Sequence, residues 1–189
     1  MNVYDFDGTI YRRDSSVDFY RFVLARHPGV LRDAPRQVAA AVRYRAGRID
    51  KTAMKTQLFS YLRRLRPGEA QQLVRAFWDA HEGDMHAWYA ARRRPDDVVI
   101  SASPEFLLRD VCDRLGVRTM MASRVDPRTG AFDGPNCHDV EKVRRLRERF
   151  PDARVEEFYS DSLSDQPLAD VAERAWLVRG ERLEPWPGK

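Results

Sequence analysis

An α/β protein with an all-helical unit let in after its first strand is what the sequence predicts, on three observations. An apolar extended run opens the chain at Asn2-Val3-Tyr4. Short β-branched runs alternate with helical stretches through residues 95–189, Asp97-Val98-Val99-Ile100 being the clearest. Between these parts, residues 14–94 show apolar residues at helical spacing and no strand pattern. At 189 residues and 43% hydrophobic, the chain suffices for one core domain, or for one core with an inserted subdomain.

The first strand is expected to run on through Asp5-Phe6-Asp7 to a turn at Gly8, Thr9 and Ile10. Residues i and i+2 of a strand face one side, so Asp5 and Asp7 are expected to point together. Two such carboxylates repel unless a cation lies between them, and a hard divalent metal with oxygen ligands is the economical choice. Gly8 adopts backbone angles that other residues avoid and lets its N–H approach a ligand.

Ser15 or Ser16 is expected to cap a first helix whose apolar face is Val17, Phe19, Tyr20, Val23 and Leu24. Further helices are expected over about 35–46, 51–65, 69–80 and 84–93, with Gly47 and Pro67-Gly68 as stops. The aromatics of this unit, among them Phe59, Phe77, Trp78, Trp88 and Tyr89, read as core.

The run ending at Ile100 leads to Ser101-Ala102-Ser103-Pro104, where Ser103 can cap a helix and Pro104 take its first position. Ser101 is either an anion seat at a strand end facing a helix N-terminus or an ordinary loop serine. A strand over 117–125 and a hairpin through Asp126–Gly130 to Phe132 follow, the hairpin reading as an embellishment of the sheet. Asp139 can cap the helix 140–150, which places Lys142 in its first turn. A cation there opposes the helix dipole. Either an anion lies within its reach, or it is a surface lysine paired with Glu141 or Asp139. Residues 155–160 form a strand ending in Asp161-Ser162-Leu163-Ser164-Asp165, so Asp161 stands at a strand tip as Asp5 does. Asp165 can be a helix cap. A last strand falls at 175–178, and the tail from Arg179 shows no site signal.

Composition narrows the classes. No apolar run approaches the roughly 18 residues that span a bilayer, and Met1 leads straight into a strand without a signal peptide. Two cysteines, Cys112 and Cys137, make neither a disulfide framework nor a metal-ligand spacing. A reduced, cytoplasmic protein is expected. The net charge of +4 lies in arginine clusters such as Arg92–Arg94 and Arg144–Arg147. With acidic residues interspersed, they read as solvated helix faces that help attract anionic substrates, not as a nucleic-acid surface.

Four elements stand in one order: Asp5-Phe6-Asp7-Gly8-Thr9, Ser101, Lys142, and Asp161 to Asp165. The set resembles the haloacid dehalogenase (HAD) superfamily, and the helical insert resembles the cap of the subclass that includes phosphoserine phosphatase. The resemblance implies a Rossmann-like, doubly wound, mostly parallel core (1–13 and 95–189) with a helical cap (14–94) over the catalytic strand tips. It implies a Mg²⁺-dependent phosphatase that hydrolyses a phosphate monoester of a small metabolite, or of a phospholipid head group, through an aspartyl phosphate. Asp5 is then the nucleophile and Asp7 the acid/base. Asp5, the Asp7 main-chain carbonyl and Asp161 hold Mg²⁺, and Asp165 orients Lys142. Ser101 and Lys142, with backbone N–H groups near Gly8 and Ala102, bind the phosphoryl oxygens. ATPases of the superfamily lack the second carboxylate, so Asp7 implies turnover to free phosphate. Asp14 falls where phosphoserine phosphatases carry a substrate-reading glutamate. Ser160 and Ser164 depart from their usual glycine and asparagine, which separates the chemistry from serine specificity. The alternative is a catalytically idle member that binds a phosphorylated ligand or a protein partner through its cap.

Overall fold

The computed structural model describes residues 1–189. Strand β1 (Asn2–Tyr4) lies in the middle of a six-stranded sheet. The others are β2 (Val98–Pro104), β3 (Thr119–Ser123), β4 (Val155–Ser160), β5 (Ala172–Arg179) and β6 (Arg182–Pro185). Their order is β3-β2-β1-β4-β5-β6, parallel except for β6, which returns antiparallel along β5. The chain builds outward from β1 to β3, then restarts on the other side at β4. The tips of β1 and β4 therefore border the switch point where ligands of open α/β sheets gather.

Alternate side chains send the strands into two cores. Val3, Val98, Ile100 and Phe158 pack on one face with α7 (Val140–Arg149) and α8 (Gln166–Val171), through Leu146 and Leu168. Tyr4, Val99 and Tyr159 pack on the other with α6 (Glu105–Arg114), through Leu107, Leu108 and Val111. Helices on both faces of a mostly parallel sheet make the doubly wound, Rossmann-like core.

Between β1 and β2 lie five α-helices: α1 (Ser15–Arg26), α2 (Ala34–Arg45), α3 (Lys51–Leu58), α4 (Glu69–His81) and α5 (Ala87–Arg92). Consecutive helices are joined by 3-10 turns, except α2 and α3. This insert does not pack by itself. Phe19 of α1, Phe77 and Trp78 of α4 and Tyr89 of α5 join the same buried cluster as Tyr4 and Leu107. Trp78 satisfies its indole N–H on the Leu107 carbonyl at 2.7 Å, as a buried tryptophan must. Tyr4 stacks on Tyr159 at 4.7 Å and meets Tyr89 edge-on at 5.2 Å.

Several local expectations are corrected. Asp14, not Ser15 or Ser16, caps α1, accepting from the Val17 N–H at 2.9 Å; Val17 itself is exposed. The helix expected over 51–65 stops at Leu58 and continues as a 3-10 turn, Phe59–Arg64. Strand β2 runs on through Ser103 to Pro104 across a register shift, so Ser103 is a strand residue and caps nothing. The 126–132 hairpin is more than an embellishment. Gly130, at φ 73°, packs so closely that a Cβ would lie 2.2 Å from the Phe59 carbonyl, and Arg63 donates to the Thr129 carbonyl. The tail contributes an edge strand, β6.

Candidate active site

The turn after β1 places the first two aspartates. The Asp5 N–H still pairs with the Tyr159 carbonyl at 2.9 Å, but the strand has ended at Tyr4. The Phe6 carbonyl then receives the N–H groups of Thr9, Ile10 and Tyr11, which folds the chain back. Asp5 and Asp7 consequently do not share a strand face; their carboxylates have different partners on different elements.

Asp5 reaches toward α7. Its Oδ1 lies 2.9 Å from Lys142 Nζ, which also donates to Asp165 Oδ2 at 2.7 Å. Lys142 is only 2% exposed, so it is no surface lysine. Burial alone would lower its pKa, but Asp5 and Asp165 outweigh that and raise it. Asp165 also accepts from the Ser160 hydroxyl at 2.8 Å, and its side chain caps no helix. Asp139 likewise gives α7 no side-chain cap.

Asp7 turns the other way. Its Oδ1 accepts from the Ser15 N–H at 2.8 Å, and its Oδ2 accepts from the Ser103 hydroxyl. Burial, followed by the charge of Asp14, raises its pKa to about 7. Asp161 stands at the tip of β4, where burial, then Asp5, raises its pKa to about 6. Its carboxylate lies against Gly8: a Cβ there, at φ 70°, would be 2.2 Å from Asp161 Oδ2. Only glycine tolerates both that angle and that contact. The Gly8 N–H is already donated to the Arg13 carbonyl at 3.0 Å, so Gly8 contributes space, not a donor.

These groups line one cavity of about 620 Å³, together with Ala102, Asp14 and Ser164. Ser101 lies behind the wall, 1% exposed, its hydroxyl accepting from the Ser103 N–H at 3.1 Å. The hydroxyl of this strand tip that lines the cavity is that of Ser103. Asp14 lines it too, with its carboxylate spent on capping α1.

The helical insert adds groups that sequence reasoning missed. Lys55 of α3 reaches from the insert to the end of β2, donating to the Ala102 carbonyl at 2.9 Å and to Asn136 Oδ1 at 3.4 Å. Burial, then the neighbouring charge of Lys51, lowers its pKa to about 8. Tyr61 and His138 line the same cavity, and the Tyr61 hydroxyl and His138 Nδ1 are buried without a partner. Lys51 and Lys55, two cations one helical turn apart with no acid between them, were the available signal. For Ser103 no sequence signal separates a strand end from a helix cap.

The donor set suits a hard cation. Asp5, Asp161 and Asp165 bring three negative charges to a single buried lysine, and the Asp161 carboxylate has no ion-pair partner. No three acidic, histidine or cysteine side chains surround one point. The side chains at hand are two, Asp5 and Asp161, with main-chain oxygen to complete the set.

A family model described as haloacid dehalogenase-like hydrolase matches residues 3–170. Protein CicA of Caulobacter vibrioides is 28% identical over 187 residues, covering 90% of this chain and 82% of that one. A protein of unknown function from Bordetella pertussis Tohama I superposes with a TM-score of 0.78 at 20% identity, covering 93% of this chain and 87% of its own. A phosphoserine phosphohydrolase-like protein from Francisella tularensis superposes with a TM-score of 0.58 at 12% identity, covering 93% and 86%. At such identities the solved structures speak to the fold.

Proposed function

This chain belongs to the haloacid dehalogenase-like hydrolase family, and from that premise we propose that it is a Mg²⁺-dependent phosphatase acting on a phosphate monoester of a small metabolite. The observation that carries the reading is the buried Asp5–Lys142–Asp165 chain opening onto a cavity that Asp7 and Asp161 also line. Residues 14–94 act as its cap.

In this reading an Asp5 oxygen attacks the phosphorus and the bond to the leaving oxygen breaks, which produces an aspartyl phosphate. Asp7 gives its proton to the leaving oxygen. The resulting carboxylate then takes a proton from the water that attacks the acyl phosphate, and free phosphate departs with the Asp5 carboxylate restored. A carboxyl group with a pKa of about 7 is suited to both halves. Lys142 offsets charge at the phosphoryl group, and Asp165 holds Lys142 in place. Main-chain N–H groups beside Gly8 and at Ala102 take equatorial oxygens. Ser101 supports that seat from behind, through the Ser103 main chain.

Asp5, the Asp7 carbonyl and Asp161 would hold Mg²⁺, which when bound supplies charge neutralisation for the approach of a carboxylate to an anionic phosphoryl group. The test is phosphate release from p-nitrophenyl phosphate. It should require Mg²⁺, stop with EDTA and vanish in Asp5→Asn; a fully active Asp5→Asn would refute the nucleophile.

A further inference from the structure

The outward face of the insert has a surface that phosphate chemistry does not use. Eight large hydrophobic side chains of the chain are exposed, and four of them, Leu31, Val38, Val42 and Tyr44, fall within residues 31–44. Scattered exposed aliphatics are normal on any protein; a cluster is not. Val38 and Val42 are 62% and 61% exposed and Leu31 51%.

The periodicity of α2 explains Val38 and Val42; Leu31 lies in the turn before the helix, and Tyr44, seven residues from Gln37 and four from Ala40, falls on the inward side near the helix end. Its buried residues are Gln37 and Ala40, and Gln37 lines the cavity on the inward side. At 3.6 residues per turn, Pro35, Val38, Ala39 and Val42 fall on the opposite side, toward solvent. Arg36 and Arg43 border that stripe on one flank and Arg45 on the other. A surface helix ordinarily turns charge to solvent; this one turns an apolar stripe outward between arginines.

Charge separates this stretch from the other arginine clusters. Residues 31–48 carry five arginines (Arg32, Arg36, Arg43, Arg45, Arg48) against one acid, Asp33, a net +4 that equals the formal charge of the whole chain. Asp33 is buried and taken by Arg64 at 2.6 Å. The five arginines therefore have no carboxylate of their own. By contrast, Arg144 and Arg145 of α7 are both paired with Glu141.

We propose that the outer face of α2, with Leu31 ahead of it, is a docking surface for an anionic lipid bilayer. The valines and Leu31 enter the boundary between head groups and acyl chains. The arginine stems cover the apolar edge while their guanidinium groups reach the lipid phosphates. A second copy of this chain is the wrong occupant, because pairing like faces would set five uncompensated arginines against five. No helix of the protein is long and apolar enough to cross the bilayer, so the contact is peripheral. This surface goes beyond the phosphatase reading and does not depend on it.

The experiment is co-sedimentation of the full chain with vesicles of phosphatidylcholine alone and of phosphatidylcholine containing about a third phosphatidylglycerol, a composition chosen to give a negative surface. Three proteins are compared: the wild type, Arg43→Glu/Arg45→Glu and Val38→Ser/Val42→Ser. All substituted positions are solvent-facing, and matching thermal melts confirm that the variants fold. The wild type should bind the anionic vesicles at least about ten-fold better than the neutral ones, and each double variant should lose about ten-fold or more. Three results would overturn the proposal: no binding to anionic vesicles, binding that the valine variant retains in full (adsorption by charge alone), or a dimer that the valine variant dissolves in the absence of vesicle binding. Turnover of p-nitrophenyl phosphate by the wild type is scored separately, so failure of the phosphatase reading leaves this test intact.

Discussion

The Ser103 hydroxyl, at the end of β2, donates to Oδ2 of Asp7, in the turn after β1. Its single proton is thereby committed, and its oxygen accepts from the Ser15 hydroxyl at 3.3 Å and lies 3.0 Å from that of Ser16. The other Asp7 oxygen faces an obligate donor, the Ser15 N–H. Oδ2 is thus the oxygen whose partner can either give or take a proton. Asp7 is held between the core and the first turn of α1 whether or not it is protonated.

Loss of this contact should damage proton transfer more than binding. In Ser103→Ala, kcat/KM for an alkyl phosphate should fall about 10–100-fold, because a poor leaving group needs a well-placed acid. The fall for p-nitrophenyl phosphate, whose leaving group departs without a proton, should be only a few-fold. Ser103→Thr, which keeps the hydroxyl, should recover most of the difference. An equal loss on both substrates would mean that Ser103 only supports the strand.

Lys142 is a buried cation between two carboxylates, so removing it leaves uncompensated charge. Lys142→Met should cost about 3–5 kcal/mol of stability at neutral pH in denaturant unfolding. The deficit should shrink on acidification. Burial raises the pKa of Asp5, and without its cation Asp5 takes up a proton more readily, which relieves the repulsion.

For the metal-free protein the sign of the pH dependence follows from Asp7 and Asp161. Their pKa values stand at about 7 and about 6 in the fold, against an ordinary 3.8. Between pH 4 and 7 the folded state therefore binds more protons than the unfolded one, and these two groups make stability fall as pH rises. Thermal melts in EDTA should show that fall. Mg²⁺ should reverse it most strongly near pH 8, where the carboxylates are charged. Asp161→Asn should melt higher than the wild type in EDTA and lose the response to Mg²⁺.

Gly8→Ala combines a strained φ with a Cβ driven into the Asp161 carboxylate. It should lower the melting temperature and abolish Mg²⁺-dependent stabilisation. A variant with wild-type stabilisation would show that Asp161 has room to move.

Lys55 tests the contribution of the insert to substrate binding. With a pKa of about 8 it is charged at neutrality and loses its charge just above. KM for a phosphorylated substrate should rise through pH 8 in the wild type, and should be raised several-fold and flat across that range in Lys55→Met. Similar pH profiles for the two proteins would exclude Lys55 from anion binding.

The separation of roles between chain and fold is clearest at particular residues. Alternating β-branched runs, a helical segment without strand pattern, and aspartates at two strand ends are local properties. Strand and helix periodicity depends on neighbours two to four residues away, so the α/β class and the positions of Asp5, Lys142 and Asp161 were legible from the sequence alone. The end of β1 at Tyr4 was not, because a three-fold hydrogen-bonded Phe6 carbonyl outcompetes the continued strand. Nor was the exchange of Ser101 for Ser103 on the cavity wall, which follows from a register shift against β3. Lys55 and the bare outer stripe of α2 depend on how the insert is laid on the core. The sequence by itself determined the alternation of strands and helices around a helical insert, and that Asp5 and Asp161 stand at or just beyond strand ends. Only the tertiary structure decided which charges meet, because contacts such as Lys142 with Asp5, or Ser103 with Asp7, join residues about a hundred or more positions apart, and no local propensity reaches that far.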